Sequence, residues 1–210
     1  MPSLFDPAHQ PADLDGRLVA ALERVGLAFR VLLWEKAKAV REAASLSPIQ
    51  IQILVFLRYH GEDLARVGRL AEELGLTPAT VSDAVAALVA KGLVAKAPGA
   101  TDRRVQRLRL TAAGARAAEA LGDWADAVRG PLAGLSETEK AALLQALLTL
   151  LAAMQRDGIL ATARMCPTCR HFVADRHAGA EQPHHCLLLD RPLAPRDLRV
   201  DCPEHAARAA

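Results

Sequence analysis

Aromatic residues are scarce in this chain: they make up 3% of its 210 residues, although 51% of the residues are hydrophobic. The core must therefore consist mainly of Ala, Leu and Val, which favour or tolerate helix. Long apolar runs are also missing, since the longest, residues 141–154, is interrupted by Gln145 and Thr149 and is shorter than the roughly 18 residues that a membrane span needs. Residues 1–16 carry neither the basic nor the apolar region of a signal peptide. We therefore expect a cytoplasmic protein without a membrane segment.

The signatures of an enzyme are absent from the sequence as well. No catalytic triad, paired-carboxylate site or glycine-rich phosphate loop is evident, and we therefore expect a binding protein and not an enzyme. The net charge of +2 indicates no particular partner. Its local distribution is more informative, because six cations and a single anion lie between Lys91 and Arg109. Such a basic segment is typical of a nucleic-acid footprint, and a solvated pair of charged strands is the alternative.

The composition divides the chain into three parts. Residues 1–11 contain three prolines and predict a flexible tail. A folded region is expected over residues 12–158. All four cysteines and five of the seven histidines follow in residues 164–210, which we interpret as a separate cysteine-rich segment.

Helical periodicity extends through most of the folded region. From Asp13 to Ala44 the apolar residues recur every three or four positions, which predicts one long amphipathic helix. Ser47 and Pro48 are suited to begin a second helix, which is expected to end at Tyr59.

Two short helices joined by a tight turn are predicted next, over residues 67–74 and 78–91. Gly75 suits the left-handed conformation that ends the first of them. Thr77 is expected to cap the second, which Pro78 begins. This arrangement is a helix-turn-helix.

The second short helix has a surface suited to the major groove of DNA. Val81, Val85, Leu88 and Val89 are expected to pack inward, and the outward surface of the first two turns is then small and polar. Short side chains allow close approach, and hydroxyls contact phosphates or base edges. The expected DNA-contacting residues of this helix are Thr77, Ala79, Thr80, Ser82 and Asp83. The alternative is an ordinary helical hairpin with an alanine-rich exposed face.

A β-hairpin follows this helix directly. Residues 93–95 and 105–110 have the pattern of two short strands, and the turn between them is rich in Gly, Pro and Asp. Arg103 and Arg104 near its tip are suited to enter the minor groove or to hold phosphates. The sequence therefore predicts a mainly α protein with a small β-hairpin wing. A solvated turn is the alternative for the two arginines.

Two more helices are predicted beyond the hairpin. The first begins after Thr111 and extends to about Val128, with a break at Gly130–Pro131. The second begins at Ser136, which forms a capping box with Glu139, and ends at Gln155. The apolar stripe of this last helix is wide, which favours a dimer interface over packing on its own domain.

These segments resemble the MarR family of transcriptional regulators over residues 12–156. The resemblance implies a homodimer in which the first and last long helices interlock and each half contacts one side of a palindromic duplex. It also implies a small aromatic acid as effector, near Phe29 and Trp34, although core packing is the more usual role for these rings. Asp83, Ala86 and Ala87 depart from the family, whose members often carry basic or polar residues there. The segments that carry the resemblance are Leu46–Gln50, Leu70–Leu76, Thr80–Ser82, Lys91–Val94, Asp102–Arg104 and Leu110–Gly114.

The cysteine-rich segment has the composition of a metal site. Cys166, Cys169, Cys186 and Cys202 supply four thiols, which suffice for a tetrahedral zinc ion or a [4Fe–4S] cluster. A segment with so little apolar material usually needs a metal in order to fold. The spacing, with Phe172 after the first pair, resembles that of high-potential iron–sulfur proteins and favours the cluster.

Two other interpretations of this segment remain open. Zinc is the alternative metal, with His171, His184, His185 or His205 able to replace a cysteine. The third possibility is a thiol–disulfide switch between Cys166 and Cys169.

Together the motifs predict a homodimeric, sequence-specific regulator of transcription, with repression as the favoured mode, that senses redox state or iron through the four cysteines. The alternative is a metal-dependent redox or interaction protein in which the winged domain is only a scaffold.

Overall fold

The structure, a computed structural model, describes residues 13–98 and 106–208. The chain separates into two compact units, one formed by residues 1–67 and 82–129 and the other by residues 68–81 and 130–210. No single helix in the described parts is long and apolar enough to cross a membrane; only a bent pair, residues 67–74 with 78–90, reaches the required hydropathy together.

Helix α1 extends over Leu14–Ala39. It begins at Asp13, whose carboxylate accepts a hydrogen bond of 2.7 Å from the Gly16 N–H. The prediction that this helix continues to Ala44 is wrong. Val40, a β-branched residue, takes an extended conformation and ends the helix there.

The apolar stripe of α1 is buried only near its C-terminal end, at Leu33 and Ala37. The rest of the helix presents large apolar side chains that are between 39% and 70% exposed. These residues are Leu14, Leu18, Val19, Leu22, Val25, Leu27, Val31 and Trp34.

Helix α2, Pro48–Tyr59, supplies much of the core of the first unit through Ile51, Ile53 and Leu54. Ser47 caps it as predicted, since its Oγ accepts from the Gln50 N–H, and Gln50 Oε1 completes a capping box by accepting from the Ser47 N–H. It packs against α5, described below.

The centre of the chain is a helix-turn-helix followed by a two-stranded ribbon. Helix α3 covers Val67–Leu74, as predicted, and α4 covers Pro78–Ala90. Strands β1, Val94–Pro98, and β2, Gln106–Leu110, pair antiparallel, with Val94 opposite Leu110. The predicted mainly α architecture with a β-hairpin wing is confirmed.

Helix α5, Ala112–Leu121, is shorter than expected. The prediction that it reaches Val128 is wrong, since it ends at Gly122, where a Cβ atom would overlap the Tyr59 hydroxyl. Residues 126–128 form a separate 3-10 turn. The predicted break at Gly130–Pro131 is also wrong, because both residues lie in the short helix α6, Arg129–Leu132.

The second unit contains helix α7, Glu137–Arg156, whose Ser136–Glu139 capping box is formed as predicted. A three-stranded antiparallel sheet follows in the cysteine-rich segment, with β3 at Phe172–Val173, β4 at His184–Cys186 and β5 at Arg191–Leu193. The segment packs on α7 through an apolar cluster. Its buried members are Leu148, Met165, Cys169, Phe172, Leu193 and Leu198.

This cluster accounts for part of the wide apolar stripe on α7. Leu144, Leu148 and Leu151 pack against the cysteine-rich segment of the same chain. Leu143 and Leu150 remain exposed on the helix.

Candidate nucleic-acid interface and cysteine site

Helix α4 begins with a well-formed cap. Gly75 has a φ of 63°, the left-handed conformation expected where α3 ends. Thr77 Oγ1 accepts a hydrogen bond of 3.2 Å from the Thr80 N–H and lies 2.8 Å from the Thr80 hydroxyl. The cap therefore holds two hydroxyl groups at the N-terminus of the helix, where backbone N–H groups attract phosphate.

The exposed face of α4 is the one expected from the sequence. Val81, Val85 and Leu88 are fully buried, and they fix which side of the helix turns away from solvent. One expectation for the inward face is wrong, because Val89 is 37% exposed. Each predicted DNA-contacting residue of this helix is exposed, namely Thr77, Ala79, Thr80, Ser82 and Asp83.

The wing ribbon is anchored at its base by the start of α5. Thr111 Oγ1 donates to the Gly92 carbonyl at 2.7 Å and accepts from the Gly114 N–H at 3.0 Å. The Thr111 N–H donates to the Leu93 carbonyl at 3.0 Å, and on the other edge the Leu108 N–H donates to the Ala65 carbonyl at 2.8 Å. The orientation of the ribbon base is therefore fixed from both sides. Arg103 and Arg104 lie outside the described residues.

Part of the basic segment is already engaged within the protein. The Lys91 ammonium donates to the Ser45 carbonyl at 2.7 Å. Glu62 lies 3.0 Å from Arg109 and 3.9 Å from Arg107. These three cations therefore have partners before any nucleic acid binds.

Backbone hydrogen bonds fix the chain around each cysteine of the second unit. All four are free thiols. Cys166 and Cys169 flank a 3-10 turn, and Cys186 lies opposite Phe172 in the β3–β4 pair. The Cys202 N–H donates to the Arg164 carbonyl at 2.7 Å, which places Cys202 beside the chain that leads into Cys166.

The Cys166 thiol has an environment shaped by the other three thiols. Burial raises its pKa above the usual value, and the charges of Cys202, Cys186 and Cys169 raise it further. The Arg199 N–H opposes this by donating to Cys166 Sγ at 3.2 Å. A backbone N–H pointing at a thiol sulfur stabilises the thiolate that metal binding requires.

A buried imidazole lies on the same strand. His184 is 3% exposed, and its Nε2 atom has no hydrogen-bond partner among the described residues. Its Nδ1 atom accepts from the Asp175 N–H at 3.3 Å, so Nε2 carries the proton in the neutral ring. His184 and Cys186 alternate with His185 along β4 and therefore share a face of the sheet. A buried N–H donor without an acceptor is costly and calls for an acceptor at this place.

The other histidines that were considered as ligands have different surroundings. His185 lies 3.1 Å from His177 and 3.3 Å from Asp190. His205 Nε2 lies 3.0 Å from the Thr168 hydroxyl. Burial lowers the pKa of His205 against the raising effect of a hydrogen bond to the Thr168 backbone. Within residues 13–98 and 106–208, no group of three or more His, Cys, Asp or Glu side chains is arranged to hold a metal ion.

Arg164 connects the cysteine-rich segment with α3 inside the second unit. Its guanidinium pairs with the carboxylate of Glu73, and the two side chains are only 15% and 13% exposed. It also donates to Asp201 at 3.0 Å. Burial lowers the pKa of Arg164, but Asp201 and Glu73 raise it by more, and the net pKa lies above its usual value. Sequence periodicity gave no signal for this residue.

Comparison with known proteins agrees with this geometry. A model described as the MarR family matches residues 44–105, which include α2, α3, α4 and β1. The winged helix-turn-helix of this chain is therefore similar to that of the MarR family. No curated protein sequence matches the chain.

Three solved structures illustrate the similarity of the winged helix-turn-helix region to known proteins. The transcriptional regulator PA3341 is 26% identical with a TM-score of 0.56, and the match covers 66% of this chain and 98% of that one. The MepR–DNA complex of Staphylococcus aureus is 25% identical with a TM-score of 0.51, over 62% of this chain and 96% of that one. RV1404 from Mycobacterium tuberculosis shares the fold at 22% identity and a TM-score of 0.54, over 70% and 98%.

Proposed function

We propose that this protein is a homodimeric, sequence-specific DNA-binding regulator of transcription, most simply a repressor that occupies a palindromic operator. The observation that carries the proposal is the surface of α4, where Thr80, Ser82 and Asp83 are exposed above a fully buried row of Val81, Val85 and Leu88. A helix with short outward side chains and a firmly seated inner face fits the major groove. The proposal is also supported by MepR, a protein of similar fold whose structure was solved in complex with DNA.

In this proposal the helix and the wing contact different parts of the duplex. Thr77, Ala79, Thr80, Ser82 and Asp83 face the bases and phosphates of the major groove. Arg103 and Arg104, which follow the first strand in the sequence, are proposed to contact the minor groove or the phosphates, where arginine is favoured. The engagement of Arg107 and Arg109 by Glu62 leaves the tip arginines as the main cationic contribution of the wing.

A second copy of this chain is the proposed partner of α1. The helix is 26 residues long, or about 39 Å at ~1.5 Å per residue. Most of that length carries exposed apolar side chains, more than a soluble monomer usually presents in one stretch. A self-complementary helix pair buries such a surface and sets the spacing of two recognition helices.

The duplex-binding proposal is tested by salt-dependent affinity measurements on the full chain. Replacement of both Arg103 and Arg104 with Ala is expected to weaken binding to all duplexes and to lower the salt slope by about one unit per lost phosphate contact. Arg129→Ala with Arg156→Ala is the matched control, because it removes two exposed arginines outside the wing. Equal slopes for the wing variant and the wild type would contradict the wing assignment.

A metal centre at Cys166, Cys169, Cys186 and Cys202 is proposed for the cysteine-rich segment. Two observations support it: the Arg199 N–H donates to Cys166 Sγ, and the unpartnered His184 Nε2–H lies on the strand face of Cys186. Sulfur ligands accept hydrogen bonds from such donors, which orient the ligands and tune the metal. A [4Fe–4S] cluster would supply sensitivity to redox state or iron, and zinc would supply a structural staple.

Protein purified without oxygen distinguishes these cases by metal analysis and visible absorption. Iron together with a broad visible absorption band supports the cluster. A colourless protein that contains one zinc ion per chain supports a structural zinc site. A preparation that holds neither metal and takes up neither on addition would reject the centre.

The alternative function is a redox protein in which the winged domain is only a scaffold. It predicts that the protein oxidises an electron donor in repeated turnovers and does not bind a duplex.

A small aromatic effector near Phe29 and Trp34 also stays a proposal. Phe29 packs edge-on against Trp124 at 5.7 Å between ring centroids, as a core residue does, whereas Trp34 is exposed beneath the Lys38 ammonium.

A further inference from the structure

Helix α3 is a short helix whose last turn carries an unfavourable charge. The helix has eight residues, and a helix of that length is marginal without contacts from outside it. Its last turn, which the structure describes in full, holds Glu72 and Glu73 and no Lys or Arg. The free carbonyl groups at the C-terminus of a helix give that end a partial negative charge, which disfavours carboxylates and favours cations. The end of α3 therefore needs a cation, and a donor for its carbonyls, from elsewhere in the chain.

Two residues that precede the cysteines supply both groups. The guanidinium of Arg164 pairs with the Glu73 carboxylate, and the two side chains are largely shielded from water. The Thr162 hydroxyl donates to the Glu72 carbonyl at 3.5 Å. The Arg69–Glu72 pair of the same helix is more than half exposed on both sides, and such a surface pair contributes little. Of the described contacts, the one with Arg164 is therefore the main compensation for the charge at the end of α3.

Arg164 is itself held in place by the cysteine-rich segment. Its guanidinium also donates to Asp201 at 3.0 Å, and its carbonyl accepts from the Cys202 N–H at 2.7 Å. The next residue, Met165, is buried in the apolar cluster that packs on α7. These contacts are made by protein groups alone, so the position of Arg164 depends on how the segment folds.

The end of α3 leads directly into the turn of the helix-turn-helix. Three residues after Glu73, the Leu76 N–H closes the turn by donating to the Ala71 carbonyl at 2.9 Å. Thr77 then caps α4. Residues 68–81 belong to the same compact unit as the cysteine-rich segment. A change at Glu73 is therefore transmitted to the first turn of α4 within that unit.

We propose that the cysteine-rich segment is a positioning element of the helix-turn-helix and that Arg164 is the residue through which it acts. This inference rests on the proposed function, because it assumes that α4 binds DNA. With Arg164 in place, the end of α3 and the turn are held in one conformation, and the first turn of α4 meets a duplex already ordered. Without Arg164, Glu73 is an uncompensated carboxylate at a helix C-terminus, and the last turn of α3 frays. Only the fraction of molecules with an ordered turn then binds, which lowers the apparent affinity.

The test measures two properties of the full chain, hydrogen exchange and affinity for a labelled pool of random-sequence duplexes. Exchange over residues 68–76 reports on α3 and the turn, and exchange in α2 serves as the internal reference. In Arg164→Gln we expect faster exchange over residues 68–76, unchanged exchange in α2, and duplex binding that is about tenfold weaker, as for a turn ordered in about one molecule in ten. Arg196→Gln is the matched control, since it removes an exposed arginine of the same segment and should leave both measurements as in the wild type.

A second substitution separates positioning of α3 from a general structural role of Arg164. Adding Glu73→Gln to Arg164→Gln removes the uncompensated carboxylate, and we expect it to restore most of the slow exchange and of the affinity. Glu72→Gln in the same background removes the neighbouring, exposed carboxylate and should restore little of either.

The inference is overturned if Arg164→Gln exchanges like the wild type over residues 68–76, or if Glu72→Gln restores the variant as well as Glu73→Gln does. Faster exchange that extends to α2 and is not reversed by Glu73→Gln would show general destabilisation and would overturn it too. If exchange responds as expected while all variants bind duplexes equally well, the segment orders α3 without positioning it for DNA, and the inference fails. If no form binds a duplex, the DNA-binding proposal fails, while exchange and its restoration still decide whether Arg164 orders the end of α3.

Discussion

Gly114 lies directly against the backbone of Leu93. A Cβ atom at position 114 would overlap the Leu93 carbonyl oxygen, and that oxygen also accepts from the Thr111 N–H. The start of α5 and the base of the wing are therefore in backbone contact, which only a glycine allows. The wing takes its orientation from this contact.

Replacement of Gly114 with Ala is expected to destabilise the protein by about 1–3 kcal/mol, because the overlapped atoms are backbone and cannot rotate away. The free energy of unfolding from urea denaturation measures the loss. Gly68→Ala is the control, since no atom lies within 4 Å of a Cβ built there. A stability equal to that of the wild type in Gly114→Ala would show that the contact is looser than described.

Thr111→Ala removes both the cap of α5 and the hydrogen bond to the Gly92 carbonyl. We expect a loss of about 1 kcal/mol, the usual value for a helix N-cap. Thr149→Ala is the control: its hydroxyl bonds only the Gln145 carbonyl on the exposed side of α7. Thermal unfolding of the two variants should differ, and identical melting curves would argue against the anchoring role of Thr111.

Asp83 places a negative charge on the exposed face of α4, where phosphates are expected to approach. Its replacement with Asn should raise affinity for duplexes of any sequence by about fivefold, since one unscreened repulsion in water amounts to ~1 kcal/mol. Asp126→Asn removes an exposed carboxylate outside the helix-turn-helix and should leave affinity unchanged. Fluorescence anisotropy with labelled duplexes measures both. If the two substitutions have the same effect, Asp83 does not face the duplex.

Leu148 is the buried residue through which α7 holds the cysteine-rich segment. Leu148→Ala should cost about 2–5 kcal/mol and open a cavity beneath Met165 and Phe172. We expect the buried Cys169 thiol to react faster with a thiol reagent as a result. Leu143→Ala shortens an exposed leucine of the same helix and should leave that rate unchanged. Equal rates for both variants would mean that Leu148 does not hold the segment in place.

The proposed dimer predicts that charge on the exposed stripe of α1 separates the subunits. Leu18→Glu combined with Val25→Glu should shift the protein from dimer to monomer in sedimentation equilibrium, because two carboxylates would be buried without partners. Arg24→Glu also adds negative charge to α1 but removes no apolar side chain. The Arg24→Glu variant should keep the mass of a dimer. A wild-type protein that sediments as a monomer would contradict the proposed dimer.

Local signals in the sequence predicted much of the fold. The N-caps at Ser47, Thr77, Thr111 and Ser136 all form, because capping depends on residues within three positions of each other. The bounds of α3 and the exposed face of α4 follow from helical periodicity in the same way.

Contacts between distant residues were beyond the reach of such signals. Helix α5 ends at Gly122, next to the side chain of Tyr59 from α2. The composition of residues 112–128 does not predict this contact. Arg164 and Glu73 are 91 positions apart, and the motif that contains Glu73, Leu70–Leu76, gives no indication of a contact with Arg164. The docking of the cysteine-rich segment on α7 likewise depends on side chains that come together only in the folded unit.

The carboxylate of Glu62 has a consequence for how tightly the wing holds nucleic acid. Because its single negative charge offsets at most one of the two positive charges of Arg107 and Arg109, the pair neutralises fewer phosphates and displaces fewer cations from a duplex than two unpaired arginines would. Counting basic residues in the ribbon would therefore overstate how steeply affinity falls as ionic strength rises. The proposed contact between the wing and DNA should therefore keep more of its affinity at high salt than the arginine content of the ribbon suggests.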